Sequence, residues 1–465
     1  MDIISMFMVP ISSYAWLGRT AKHNSHSART SGFPTPIPTT AHNRPPRALA
    51  VAPWEGNPLL ASGGADGSLS LWDWDAMDAG LLPLRTQSVG EGHSIASLAF
   101  HPSLPFLLVA SGDPAIALMD GAGTSLASSV TGDPYVRDQR LTLGHTGGIT
   151  QALWAGDKVL SGSLDGTARL WDIAHLGDGG GGESPKWDQS LIMRPKSNTG
   201  GRLVVSRVAW DASNPDLYYT ACGDQTLQIF DGRKNLAKPA GLVQNKMHGA
   251  HTPHMAARPV SSRPASGSAS IPSGETTDMA VSGDGILLVA RSSDHTVRIW
   301  DVRSMDRPIK VYFNLPSAGS GSSIAFSPHN ALISTVTDVG TSGPARIVMI
   351  DTVTLDVVHQ EPLSSSTGAV SIAYAQDINQ IFVGMADGAL LALYSDEFSK
   401  AGVKSGAHAK ARTRDASDTL QFQPEILDPA NIRFLSRKRS LTAAHKASSS
   451  APGPSQPPVK RHKGL

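Results

Sequence analysis

Residues Gly144 to Asp172 read GHTGGITQALWAGDKVLSGSLDGTARLWD. A Gly-His pair opens the stretch, a Trp-Asp pair closes it, and three short apolar runs lie between them, separated by Gly- and Asp-bearing turns. Runs of this length bounded by turn residues are strands. The pattern returns in ILLVARSSDHTVRIWD (Ile286–Asp301) and in LLASGGADGSLSLWD (Leu59–Asp73). Weaker copies end at Met119-Asp120, Phe230-Asp231 and Ile350-Asp351, and another runs from Ile381 to Tyr394. Self-similarity at this period means that one supersecondary unit is repeated along the chain.

A finer regularity aligns the copies. Asp66 precedes Trp72 by six positions, and the same interval separates Asp165 from Trp171, Asp224 from Phe230, Asp294 from Trp300, Asp113 from Met119 and Asp387 from Leu393. A short carboxylate in a tight turn bonds the backbone two residues on, and the large apolar residue six later points inward from the next strand. In a complete copy the turn Asp, the Gly-His histidine, a strand hydroxyl and the indole can share one hydrogen-bonded chain. Here that chain is Asp165, His145, Ser161 or Ser163, and Trp171. A structural role of this kind accounts for His145 without any chemistry; Asp66, Trp72 and Asp294 are the matching positions of other copies.

The Gly-His to Trp-Asp unit resembles the WD40 repeat, whose four-stranded blades close radially into a propeller. The resemblance implies an all-β fold of seven blades over residues 47–398, between an N-terminal tail (1–46) and a basic C-terminal tail (399–465), both mostly disordered. Successive closing aspartates lie 47, 52, 59, 70 and 50 residues apart, longer than the roughly 40–45 of a plain repeat. The excess falls in two expected insertions, about 177–197 and 248–274. The sequence leaves open whether the N-terminal segment or Val403–Ala407 closes the ring.

Strings that the repeat does not require narrow the resemblance. WDWDAMDAGLLPLR (Trp72–Arg85), GDPYVRD (Gly132–Asp138) followed by LGHTGG, SSDHTVRIWDVRSMDRPI (Ser292–Ile309) and INQIFVGMADGALLALYSDEFSKAGVKSG (Ile378–Gly406) are similar in order and spacing to the WD repeat-containing protein 70, or gastrulation-defective, family. That resemblance covers roughly residues 47 to 440. It implies a nuclear propeller acting as substrate receptor or adaptor of a cullin-4 ubiquitin ligase, linked to chromatin and DNA-damage responses. Members usually carry a long charged N-terminal extension, whereas about 46 residues precede the first copy here. Trp300, Asp301 and Arg303 match the Trp-Asp-x-Arg element by which many such receptors dock the ligase adaptor; Phe230-Asp231-Gly232-Arg233 is a weaker echo. The alternative is a structural subunit of an RNA-processing or ribosome-assembly particle.

Composition bounds the rest. The 465 residues include 45 Gly and 32 Pro, and Cys222 is the only cysteine, so no intrachain disulfide forms and a reducing compartment is expected. The first 18 residues lack the basic start of a secretory signal, and no apolar run approaches the roughly 20 residues of a membrane span; no membrane is expected. No nucleophile elbow, phosphate loop or zinc-protease helix motif occurs, so no enzyme, cofactor or metal is expected. His248, His251 and His254 lack the paired ligands of a closed zinc site and read as a solvated loop. From Ser399 onward there are 13 Lys/Arg against 4 Asp/Glu, leaving 27 basic and 35 acidic side chains elsewhere. Arg437, Lys438, Arg439, Lys460, Arg461 and Lys463 form two short clusters that read as a nuclear address, with weak, non-specific nucleic-acid contact that fades with salt.

Overall fold

In the computed structural model the described residues are 39–40, 42–54, 59–73, 83–89, 92–136, 138–174, 186–196, 203–234, 239–244, 275–317, 323–340, 343–364, 366–394 and 399. Among them 28 strands form seven four-stranded antiparallel sheets. Each sheet is one blade, with strands a to d running from the centre outward. Blade 3 is typical: a is Ile149–Ala155, b Lys158–Ser163, c Ala168–Ala174 and d Lys186–Met193. Every repeat read from the sequence occupies one blade, and strand a is Ile95–Phe100 in blade 2, Val205–Trp210 in blade 4, Thr276–Val281 in blade 5 and Ile324–Phe326 in blade 6. In the Gly144–Asp172 copy the three runs are strands a, b and c, and the shorter copies begin at strand b. The turn Asp sits between strands b and c, and the closing Trp-Asp lies at or near the end of strand c.

Antiparallel order fixes two faces. The b–c turns and the connections into each new strand a emerge on one side, here called upper; the a–b and c–d turns emerge on the lower side. Strands a of neighbouring blades lie side by side around a central channel, and strand a of blade 1 (Pro46–Val51) meets strand a of blade 7 (Ala369–Ala375), which closes the ring.

The core is divided among the blade junctions. Seven apolar clusters occur, one between each adjacent pair of blades. The large residue ending each strand c enters the cluster shared with the preceding blade: Trp171 lies between blades 2 and 3, Phe230 between 3 and 4, Trp300 between 4 and 5, and Trp72 between 7 and 1. All four are fully buried. Burying such a side chain stabilises the fold by about 1.5–3 kcal/mol, and because each junction needs two blades the ring is worth more than its parts.

Ring closure answers the question left open by the sequence. Blade 7 draws strands a to c from Ala369–Ala375, Gln380–Met385 and Ala389–Leu393 and its outer strand from Thr39–Thr40, which pair with Leu390 and Ala389. The expected boundary at Arg47 is therefore too late, since the edge of Ala389–Leu393 takes its partner from residues ahead of it. The expected insertion 177–197 needs a similar correction. Lys186–Met193 is a full outer strand, held by the burial of Trp187 and Met193, and the Gly-rich part before it lies outside the described residues. The insertion 248–274, with His248, His251 and His254, also lies outside them.

Candidate functional site

Blade 3 completes the chain of polar groups expected from its sequence. His145 Nδ1 lies 2.9 Å from Asp165 Oδ2, His145 Nε2 lies 2.7 Å from Ser161 Oγ, and Trp171 Nε1 donates to Ser161 Oγ over 2.8 Å. A carboxylate only accepts, so Nδ1 carries the imidazole proton. Nε2 then accepts from the Ser161 hydroxyl, which accepts from the indole. Ser161, and not Ser163, is the hydroxyl: Ser163 Oγ donates instead to the carbonyls of Gly147 and Gly148. Burial lowers the His145 pKa, so the imidazole stays neutral. Burial opposes ionisation of Asp165 as well, but bonds from His145, Thr167 Oγ1 and Thr167 N hold its carboxyl at about 2. The arrangement is static, because each donor of the chain is matched to an acceptor inside it.

Blade 1 builds the same relay with one more hydroxyl. His42 Nε2 lies 2.8 Å from Ser62 Oγ, which accepts from Trp72 Nε1 at 3.1 Å; His42 Nδ1 reaches Ser68 Oγ at 2.6 Å, and Ser68 donates to Asp66 Oδ1 at 2.6 Å. The repeat pattern supplies Asp66 and Trp72 but not His42, which follows Ala41 where the pattern calls for Gly. The signal available is the interval of 20 residues to Ser62, against 16 between His145 and Ser161. In blade 2 His93 bonds Asp113 at 2.8 Å but stays more than half exposed, and Met119 takes the place of the indole.

Blade 5 departs further. Asp294 accepts from Thr296 N and Oγ1 and pairs with Arg298 at 2.5 Å, so an arginine of strand c replaces the histidine. Ala290 faces Arg298 across the ladder, where Ser161 faces Arg169 in blade 3, and the buried Trp300 Nε1 has no hydrogen-bond partner among the described residues.

Of the three expected docking residues, Trp300 is wholly inside, Asp301 is partly buried and Arg303 is exposed. Asp301 Oδ1 accepts from Arg303 N at 2.8 Å, a local turn that sets the arginine on the lower face. The echo in blade 4 is different: Arg233 pairs with Asp216 at 3.0 Å and with Asp231 at 3.5 Å. Arg303 makes no ion pair with a described residue.

The central channel carries charge, and Arg207 and Asp278 are engaged there. Arg207 in strand a of blade 4 donates to Thr277 O of blade 5 at 2.7 Å and to Thr150 O of blade 3 at 3.1 Å; Asp278 of blade 5 accepts from Ile324 N of blade 6 at 2.7 Å. Ser97 to Ala152 O, Val208 N to Gln151, Ile372 N to Ser323 and Ser371 to Pro46 O continue the stitching around the ring. These groups join blades, and sequence periodicity has no means of singling them out. Among the described residues no group of three or more His, Cys, Asp or Glu could hold a metal ion. Cys222 is buried, and burial raises its thiol to about 12, which leaves it unreactive. The basic residues Arg437, Lys438, Arg439, Lys460, Arg461 and Lys463 lie outside the described residues.

Comparison with known proteins agrees with this geometry. The family model for the WD domain, G-beta repeat, matches residues 35–73, 137–172 and 268–301, three blades with an indole at the end of strand c. The chain is 25% identical to WD repeat-containing protein 70 of Xenopus laevis over 410 residues, 87% of this chain and 59% of the relative. It is 25% identical to the gastrulation defective protein 1 homolog of Drosophila melanogaster over 403 residues, 85% and 55% of the two chains. Against human WD repeat-containing protein 70 the identity is 24% over 374 residues, 80% and 52%. The chain thus spans between about half and three fifths of the length of these curated relatives.

Proposed function

We propose that this chain, a seven-bladed WD40 propeller similar to the WD repeat-containing protein 70 and gastrulation-defective proteins, is a nuclear protein-interaction scaffold that serves as a substrate receptor or adaptor of a cullin-4 ubiquitin ligase. Rigid strands that hold variable loops on two wide faces suit binding and not turnover. The observation that carries the ligase contact is Arg303: exposed, set by the Asp301 turn, and without an ion pair among the described residues. A guanidinium in that state can make bidentate contact with a partner carboxylate. Arg233, one blade away, is already engaged by Asp216 and Asp231. Links to chromatin and DNA damage are carried over from the resemblance. The nuclear address rests on the clusters Arg437–Arg439 and Lys460–Lys463, whose basic charge also supplies weak contact with nucleic acid.

The test is a pull-down of the tagged chain against the cullin-4 adaptor subunit, wild type beside Arg303→Ala and Arg233→Ala, with melting curves as folding control. Binding lost in Arg303→Ala and kept in Arg233→Ala, with unchanged melting, establishes the receptor role. Absence of wild-type binding overturns it in favour of a particle scaffold without ligase contact, for which RNase sensitivity of the assembly is the next measurement.

A further inference from the structure

Four side chains from four blades line one inner cavity of the central channel, about 190 Å³, and each keeps a donor without an acceptor among the described residues. A bulge between Pro46 and Ala48 takes Arg47 of blade 1 out of the ladder. Arg47 is exposed and makes no hydrogen bond or ion pair through its side chain with a described residue. Arg207 of blade 4 donates from Nε to Thr277 O and from Nη1 to Thr150 O and Ser206 O, which leaves Nη2. Gln151 of blade 3 turns Oε1 to Val208 N at 2.9 Å, so its amide nitrogen is the end left over. Ser323, just ahead of strand a of blade 6, accepts from Ile372 N at 2.8 Å and keeps its own hydroxyl proton available. The other hydroxyls of the cavity, on Ser97 and Ser371, donate to Ala152 O and Pro46 O.

Charge is unbalanced in the same direction. Asp278 is the carboxylate of this cavity. Its oxygens accept from Ile324 N at 2.7 Å and Met279 N at 2.9 Å; it stands 3.7 Å from Arg207 and opposite the wholly buried Arg291 in the ladder. Arg291 donates to Thr335, Leu315 and Pro316 and bonds no carboxylate among the described residues. Three guanidinium groups thus stand against one carboxylate. Glu275 lines only the outer cavity, about 360 Å³, which adjoins the inner one at Arg47, Ala96 and Arg207.

We propose that the inner channel binds a phosphate group through Arg47, Gln151, Arg207 and Ser323. Taking an arginine out of water is costly unless its charge is met, and the one inner carboxylate is divided between Arg207 and Arg291. A bound anion supplies the missing charge, through hydrogen bonds that are charge-assisted. The low-dielectric walls of a channel focus that attraction. The donors approach from blades 1, 3, 4 and 6, on different sides of the ring. A carboxylate offers two oxygens in one plane, whereas a phosphate monoester offers three acceptor oxygens, set tetrahedrally, that meet donors from several directions at once. The outer cavity, where Leu164 and Val204 add apolar surface, takes the group that carries the phosphate. Glu275 there disfavours a second negative charge, so a single phosphate is the group expected. Arg303 is on the lower face, so the site stands whether or not the ligase reading holds.

Titration calorimetry on the full-length chain at constant ionic strength tests the assignment, with inorganic phosphate, free phosphoserine, a short phosphoserine peptide and acetate as probes. Inorganic phosphate is expected to saturate one site per chain. Arg47→Ala should weaken it at least about tenfold, or about 1.4 kcal/mol, and Arg303→Ala should bind it as wild type does. Arg47 is exposed and unpaired among the described residues, so Arg47→Ala should melt with wild type when no phosphate is present. That variant keeps the basic C-terminal residues, so binding that it loses belongs to the channel. A peptide that binds more tightly than free phosphoserine assigns the phosphate to a partner protein. Equal affinities assign it to a small phosphorylated molecule, and both results support the site. The proposal is overturned if wild type binds no phosphate, if Arg47→Ala binds it equally well, or if acetate binds as tightly as phosphate.

Discussion

Ala290 in blade 5 occupies the ladder position that Ser161 occupies in blade 3, each facing an arginine two residues before a closing tryptophan. Ser161 accepts from Trp171; Trp300, beside Ala290, has no acceptor for its indole N–H among the described residues. The difference of one oxygen sets up a substitution that should improve the protein. Ala290→Ser would place a hydroxyl against Trp300 Nε1 and, as Ser161 does toward Arg169 O at 3.4 Å, against the carbonyl across the ladder. The expected gain is about 1 kcal/mol, read as a higher denaturant midpoint at constant slope. A lower midpoint would show that the junction between blades 4 and 5 has no room for the oxygen.

The reverse change should hurt blade 3. Ser161→Ala leaves His145 Nε2 and Trp171 Nε1 buried without partners, at a cost of about 1–3 kcal/mol. His145→Ala on the same background should then add less than it costs alone, because the two residues act through one chain. Strict additivity in this double-mutant cycle would break the description of the relay as a unit.

The relay members carry a sequence signal because they recur. The interval from turn Asp to closing residue is the same in six copies, so Asp66, Asp165 and Asp294 stand out from the residues alone, and the fold follows from the same regularity. His42 does not stand out, since its interval to the strand hydroxyl is stretched and its preceding glycine is replaced by Ala41. Nor does Thr39–Thr40, because two residues are too short to have a period. Arg169 and Arg291 illustrate a different gap. Arginine is almost never fully buried, so nothing local marks these two as interior; both are inside because loop carbonyls need donors, Gln139 and Thr142 in one case and Leu315 and Pro316 in the other.

Acid should weaken the ring in two steps. His42 and His145 are pushed below the ordinary histidine value by burial, so the unfolded chain takes up protons that the folded one refuses. The stability involved is present above about pH 6.5 and is lost as pH falls through that value. Asp165, held at about 2, contributes stability present above its ordinary value near ~3.9 and lost as pH falls toward 2. The melting temperature is therefore expected to drop between about pH 7 and 5 and again below about pH 4. His145→Asn should melt lower at neutral pH yet lose less across the first of these steps. An unchanged slope in that variant would mean that the imidazole is protonated inside the fold.

Closure of the ring by Thr39–Thr40 makes the two ends of the chain unequal. Those residues pair with Leu390 and Ala389, and His42, two residues beyond them, joins Ser62 and, through Ser68, Asp66. Deleting residues 1–42 strips the outer edge of blade 7 and takes the imidazole away from the Ser62 and Ser68 hydroxyls in blade 1. The loss should reach about 2 kcal/mol or more, with His42→Ala isolating the share of the side chain. At the other end, residues 437–465 contain few apolar side chains among Lys, Arg, Ser and Pro, too little burial to offset chain entropy. Deleting Arg437 to Leu465 should leave the melting transition where it is and, under the proposed nuclear role, should abolish accumulation in the nucleus. Equal melting losses from the two deletions would mean that the C-terminal segment is built into the propeller, and an N-terminal deletion without effect would mean that another segment completes blade 7.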